Sequence, residues 1–208
     1  MIKIEYTEVH GWEAAIRGAR NPMNSWNQSD TSYGLGEGFT EIGPRDQKLL
    51  RNLANAGPDH GKYLRMIMVW CDITAPLYWL KEMDTYRMGV EKNSCSTMHK
   101  IHAKEFTLDD FSHEHVSHDV RNVLISVIDA LNIRRIHFLE SKEKTFWWDM
   151  IQLLPSSYNQ RRTFMFSYAA LRNMYHARKN HKLDEWHEFC RWIESLPYSE
   201  LITGERDG

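Results

Sequence analysis

Residues 63–73, YLRMIMVWCDI, are apolar almost throughout and rich in bulky side chains. An uninterrupted run of this kind reads as the central strand of a sheet rather than a solvated edge. Thr74 follows as a helix N-cap, and Pro76 falls in the first turn of the helix APLYWLKEMDTYR, where its missing N–H is no loss. That helix breaks at Gly89 into a polar loop, so TYRMGVEKNSCSTMHK (85–100) gathers tyrosine, arginine, asparagine, serine and cysteine side chains at a helix exit. Loops of this composition, set by a rigid scaffold, are where binding groups concentrate.

The remaining segments complete a fold class. In IKIEYTEV (2–9), Ile2, Ile4 and Tyr6 alternate with polar residues, predicting a strand with one buried face. WEAAIRGAR is helical. Asn21–Pro44 is a long loop rich in Asn, Ser and Gly, a candidate for function. Its GLGEG (34–38) neither follows a strand nor opens a helix, which rejects a dinucleotide-binding fingerprint, and disorder is expected only there and at the chain ends. Between 118 and 133, Val120, Val123, Leu124, Val127, Ile128 and Leu131 recur at helical spacing and predict an amphipathic helix. Three more helices are expected at 144–154, 159–180 and 184–195, the first closed by Pro155 and the last presenting Trp186, Cys190 and Ile193 inward. The prediction is an α+β protein with a central, mostly antiparallel sheet and flanking helices. No repeat or linker divides it, so residues 1–208 are read as one domain.

Composition narrows the setting. Apolar residues make up 42% of the chain and aromatics 12%, which supports a substantial core, and a net charge of −2 offers no reason to bind duplex nucleic acid. A small-molecule partner is expected. Cys71, Cys95 and Cys190 form no CxxC pair and fit a reducing compartment. With no signal pattern and no apolar run near the roughly 18 residues a membrane span needs, the expectation is a cytoplasmic protein without membrane contact.

The segment NQRRTFMFSYAALRNMYHARKNHK is dense in positive charge, and Phe164, Tyr168, Leu171 and Tyr175 form its core stripe. A solvated face with cations near a helix C-terminus accounts for most of these charges. Arg178 stands apart because its spacing from Leu171 and Tyr175 places it beside that stripe, and guanidinium forks suit phosphate and imide oxygens. His113, His115 and His118 in HEHVSH lack HExxH spacing and read as a loop before a helix, with no metal expected; His99 and His102 could share a helical turn. Cys95, between two serines, is the candidate nucleophile by composition, with a packed thiol as the alternative.

Three segments in order resemble the flavin-dependent thymidylate synthases. AIRGAR (15–20) is similar to the family's AxRxAR; DITAPLYWLKEMDTYRMGVEKNSCS looks like its strand, Ala-Pro and helix leading into RHR-x7-S; LLPSSYNQRRTFMFSYAALRNMYHAR is similar to its LP…N-x-R-S-L-x-N-x-x-x-x-R block. Departures are equally specific. Thr85-Tyr86-Arg87 stands where the family reads Arg-His-Arg, Asn93 and Ser96 keep their mutual spacing with one extra residue after Arg87, Ser94 replaces a glutamate, Ser167-Tyr168-Ala169 replaces N-x-R, and Ile151 replaces an arginine.

The resemblance implies a homotetramer with shared active sites, FAD as cofactor, and reductive methylation of dUMP to dTMP with methylenetetrahydrofolate and NADPH as co-substrates. It places Arg178 at the uracil as the catalytic cation, Asn93 and Ser96 on the nucleotide, and His60, Arg87 and Asn173 toward the flavin. It gives Cys95 no nucleophilic role. Two alternatives stay open: a related pyrimidine-nucleotide one-carbon transferase with altered cofactor use, and a non-catalytic nucleotide-binding homologue.

Overall fold

The computed structural model describes residues 2–33 and 39–204. The GLGEG run, with the expectations of disorder and of no dinucleotide fingerprint that fell on it, lies outside the described residues, as do the extreme ends.

In chain order the elements are β1 (Lys3–His10), α1 (Trp12–Arg20), β2 (Ser32–Tyr33), β3 (Phe39–Glu41), α2 (Pro44–Asn55), β4 (Met68–Pro76) and α3 (Leu77–Met83). There follow β5 (Val90–Ser94), α4 (Thr97–Lys100), α5 (His118–Ser141), α6 (Lys144–Leu153), β6 (Asn159–Ser167), α7 (Tyr168–Arg178), α8 (Asp184–Glu194) and α9 (Glu200–Thr203). Strands β1, β4, β6 and β5, in that order, make a four-stranded antiparallel sheet with flanking helices, as the α+β expectation requires. β2 and β3 pair antiparallel as a separate ribbon. Among the described residues no helix is long and apolar enough to cross a membrane.

Several boundaries differ from those read in the sequence. The run 63–73 begins as a 3₁₀ turn (Gly61–Arg65), and the strand extends through Thr74 to Pro76, which takes the N-cap position expected of Thr74. In β4, Val69, Cys71, Ile73 and Ala75 are fully buried while Trp70, Asp72 and Thr74 are half-buried, so one face is sealed and the other is not. In β1, Tyr6 is 70% exposed at φ 54, which breaks the expected alternation. The helix expected over 159–180 is a strand followed by a helix. Phe164 and Phe166 stack with ring centroids 5.1 Å apart on one side of β6, the period of a strand, and Ser167 then caps α7 by accepting the Ala170 N–H at 3.1 Å. The Phe164 to Tyr168 spacing mimicked a helical stripe across that junction.

The chain divides into two compact units, each assembled from segments distant in sequence. One holds the first residues with Ile73–Thr85 and Asn93–Arg162. Its core is Ile101, Phe106, Phe111, Ile128, Leu131 and Met150, closed by α5 packing on α6. The Asn132 amide clamps Phe106, accepting its N–H and donating to its carbonyl, each at 2.9 Å. α5 is longer than predicted, and Val120 and Val123 of its expected inner stripe are exposed. The reason is that apolar residues run round this helix rather than along one side.

The other unit holds Ile4–Asp72, Tyr86–Lys92 and the chain from Thr163 onward. Trp12, Ile16, Leu50, Phe164, Phe166, Tyr168, Leu171, Trp186 and Ile193 are all buried in it. The Trp12 indole meets the Tyr168 ring edge-on at 5.2 Å. α7 packs against α8, α9 and the 3₁₀ turn, and Arg172, only 4% exposed, donates from Nη1 to the Leu201 carbonyl at 2.7 Å.

Candidate functional site

The unit containing α7 positions Arg178 from both ends of that helix. At its start, the Ser167 N–H donates to the Gly89 carbonyl at 2.8 Å and the Tyr168 N–H to the Ile67 carbonyl at 2.9 Å. Gly89 lies at φ 70, and a Cβ there would stand 2.4 Å from Ser167 Oγ. Only glycine fits, for conformation and for space. The polar loop is thereby joined to the cap of α7, and α7 runs from that cap to Arg178 in its last turn.

Arg178 is half-buried in an aromatic cradle. Its Nε–H donates to the Tyr86 hydroxyl at 2.8 Å, and its guanidinium carbon lies 4.7 Å from the Trp186 ring centroid and 5.5 Å from that of Tyr86. The two rings meet edge-on at 6.1 Å. His181 packs its edge against Trp186 and accepts the Leu183 N–H at Nδ1, 3.1 Å. Stacking of a cation on aromatic faces contributes about 0.5–2 kcal/mol. A hydrogen bond to a charged group adds about 1.5–3 kcal/mol. The result is a guanidinium whose plane is set by protein contacts.

His60, Arg87 and Asn173 belong to the same unit, and all three are exposed. Among the described residues no side-chain hydrogen bond joins them to one another or to other protein groups. Arg172 and Arg20, by contrast, spend their donors on carbonyls and a carboxylate. Asn93 and Ser96 lie in the other unit, both exposed; Ser96 Oγ accepts the His99 N–H at 3.0 Å and so caps α4, while Asn93 makes no side-chain bond among the described residues. Arg162, read as part of a basic helix, is on β6, bound to Asp84 at 2.7 Å.

Other candidates take structural places. Cys95 is exposed rather than packed, with its N–H on the Arg161 carbonyl at 3.0 Å. Cys71 and Cys190 are buried, and burial pushes their thiols up to about 12 and about 11. His113 Nδ1 pairs with the Phe111 carbonyl at 2.8 Å, His118 stands beside Asp119, and His102 lies edge-on to Phe138. Among the described residues no group of three or more His, Cys, Asp or Glu is placed to hold a metal ion. A groove of about 350 Å³, lined by Tyr6, Glu8, His10, Trp70, Cys71, Asp72 and Thr163, contains none of the residues expected in the site.

The long loop after α1 is pinned from within. Asp46 Oδ2 accepts the hydroxyls of Ser29 and Thr31, both at 2.7 Å, and Oδ1 accepts Arg20 Nε–H at 2.6 Å. The last arginine of AIRGAR is thus a structural residue. Sequence reasoning passed over Tyr86, which registered only as a departure from a motif, and Trp186, which registered only as core. The available signal was a tyrosine standing at the motif position of an imidazole.

No family model matches the chain, and no curated protein matches it. Solved structures do. Over 97% of this chain and 97% of the other, it is similar to the flavin-dependent thymidylate synthase ThyX of Helicobacter pylori in complex with FAD and dUMP, at TM-score 0.71 and 18% identity. A second structure of the Helicobacter pylori ThyX with the same two ligands matches at TM-score 0.70, with 18% identity over 98% of this chain and 97% of that one. The UMP/dUMP methylase PolB of Streptomyces cacaoi, bound with 5-Br dUMP, matches at TM-score 0.64, with 14% identity over 99% of this chain and 96% of that one. At these identities the likeness establishes the architecture: the chain has a ThyX-like fold.

Proposed function

We propose that this chain is a divergent flavin-dependent thymidylate synthase-like enzyme, one functional domain that reductively methylates dUMP to dTMP. The observation that carries the reading is Arg178, held by Tyr86 and Trp186 at the position where the sequence resemblance requires a uracil-contacting cation. Support comes from the fold shared with ThyX and PolB, whose structures hold dUMP and 5-Br dUMP.

In this reading Arg178 donates to the pyrimidine's imide edge and stabilises negative charge that builds on the ring, a task that needs a cation fixed in advance. Asn93 and Ser96 supply neutral hydrogen bonds to the nucleotide. The donor set of His60, Arg87 and Asn173, exposed and unspent on protein groups, suits an anionic dinucleotide, and these residues would hold FAD. When bound, FAD supplies the reducing equivalents, renewed from NADPH, while methylenetetrahydrofolate is the one-carbon donor. Sites shared between subunits of a homotetramer, in the cytoplasm, complete the proposal. No enzyme thiol is enlisted: Cys71 and Cys190 are buried and hard to ionise.

A second reading, a pyrimidine-nucleotide one-carbon transferase with altered cofactor use, is favoured by one observation. Tyr86, at the motif's imidazole position, turns its hydroxyl to Arg178. The purified protein decides between them. Visible flavin absorption, dUMP binding by calorimetry and dTMP formation from dUMP with methylenetetrahydrofolate and NADPH are expected together. A colourless protein that cannot be reconstituted with FAD yet binds dUMP overturns the first reading in favour of the second or of a non-catalytic binder. Absence of dUMP binding overturns the first reading, and absence of binding to any pyrimidine nucleotide overturns all three.

A further inference from the structure

We propose that α5 is a docking surface for a second copy of this chain, which lies on it antiparallel across a two-fold axis. Ile128 and Leu131 turn into the core that α5 forms with α6, yet Ile125, Ile133, Ile136 and Leu139 stand 37–50% exposed on the same helix. Arg121, Ile125, Asp129, Ile133, Ile136 and Glu140 follow one another at intervals of four, four, four, three and four, the spacing that gathers residues on one side of a helix. Val120 and Val123 lie round the other flank and take no part. Apolar residues exposed singly need no explanation, but a continuous stripe rimmed by charge marks an interaction surface.

The charges on the stripe say what fits it. Arg121 in the first turns and Glu140 in the last are exposed, and neither side chain has a partner among the described residues. Each also stands at the end of the helix where the dipole disfavours its sign, so helix stability does not account for them. Turned end to end on a copy of itself, about an axis between Ala130 and Leu131, the stripe is its own complement. Arg121 then meets Glu140 and Ile125 meets Ile136, each twice because the axis is two-fold. A parallel copy would set Arg121 on Arg121 and Glu140 on Glu140. Burial of the isoleucines drives the association, and the charges fix its direction and register. Asp129 alone opposes it, because the two copies of this exposed carboxylate approach each other near the axis. The contact does not depend on the catalytic reading, and the homotetramer proposed with that reading would use α5 as one of its interfaces.

The test is sedimentation of the full-length protein over a range of concentrations, comparing wild type with R121E, E140R and the double variant. Both substitutions suit the helix dipole, so neither should lower the melting temperature of the dilute protein. Either one alone sets like charges opposite each other at both ends of the contact and is expected to weaken association about tenfold. The double variant restores both pairs with their signs exchanged and should return to wild-type association, while D129N should associate more tightly than wild type. Unchanged association in the single variants, or a double variant no better than either, overturns the inference. A wild type that stays monomeric at every concentration overturns it together with the homotetramer. Binding of dUMP and formation of dTMP are read separately and decide the catalytic reading.

A second measurement is independent of affinity. In a Cys95→Ser background, where the remaining thiols, Cys71 and Cys190, are buried, I125C and I136C proteins equilibrated together should form a disulfide-linked pair on mild oxidation. I125C alone should form none, because the axis separates its two copies by about 16 Å along the helix. A linked pair in I125C alone, or none in the mixture, overturns the antiparallel register even where the protein self-associates.

Discussion

Arg20 and Asp46 form a buried ion pair, Nε to Oδ1 at 2.6 Å, with the arginine side chain 5% exposed and the carboxylate 0%. Ser29, Asp30 and Thr31 crowd Oδ2 with hydroxyl and backbone donors. One carboxylate thus ties α1, α2 and the loop between them. Asp46→Asn leaves a buried guanidinium without its counter-charge and is expected to cost about 3–5 kcal/mol, read as a fall in the urea midpoint.

The same carboxylate gives a pH dependence. Burial alone pushes Asp46 up, but hydrogen bonds from Ser29 and Thr31, with the bond and charge of Arg20, outweigh it and hold the group below its ordinary value. A depressed folded-state value means that the stabilisation is fully present above the unfolded value, about 3.9, and is lost as pH falls through the folded one. Melting temperature should drop below about pH 4 in the wild type, and the drop should flatten in Asp46→Asn. Parallel acid profiles in the two proteins would show that other carboxylates govern acid unfolding.

Removing Arg178 should separate binding from folding without leaving folding untouched. The sequence alone suggests that Arg178→Ala hardly moves stability. The contacts with Tyr86 and Trp186 raise that expectation to a loss of about 2–5 kcal/mol. Affinity for dUMP should fall by more than the about tenfold that a single hydrogen bond explains, as followed by calorimetry. An unfolded variant, or one that binds dUMP normally, would make Arg178 purely structural.

Gly89→Ala should harm the site through geometry. It places a side chain at φ 70 and against Ser167 Oγ, the group that caps α7. A cost of about 1–3 kcal/mol is expected for the backbone strain, together with weakened dUMP binding. Thermal melts and nucleotide titration of one sample check both.

Thiol reactivity should follow burial. In the native protein one cysteine, Cys95, should react quickly with a disulfide reagent, while Cys71 and Cys190, 1% and 5% exposed with thiols pushed up to about 12 and about 11, should wait for denaturant. Cys95→Ser should leave dTMP formation unchanged. Loss of turnover in that variant would restore a nucleophilic role.

Much of the fold was legible because it is written in periodicity. The segments now seen as β1, α1, α6 and α8 were recognised close to their true limits, since each carries its own spacing or its own punctuation, such as Pro155. The junction at Ser167 was not legible: arginines, phenylalanines and tyrosines form a plausible helical stripe across it, and only the stacked Phe164 and Phe166 reveal a strand. In the site, Arg178 could be singled out by its distance from Leu171 and Tyr175. Its cradle could not, because Tyr86 lies 92 positions away in sequence, and that juxtaposition belongs to tertiary packing.

The unit that carries Arg178 begins near the start of the chain and is finished near its end. Trp192 donates from its indole to Thr7 Oγ1 across 185 positions, and the Tyr198 hydroxyl accepts the Ile42 N–H across 156. During synthesis, α1 and α2 emerge with Trp12, Ile16 and Leu50 still uncovered, and they must wait for the segment after Thr163 before that surface is sealed. Contacts of such long range slow folding and prolong the exposure of sticky surface. A fragment cut before β6 would keep every residue of the first two helices and lose the elements that shelter them, so the arginine site and the solubility of the early chain are secured by the same late event.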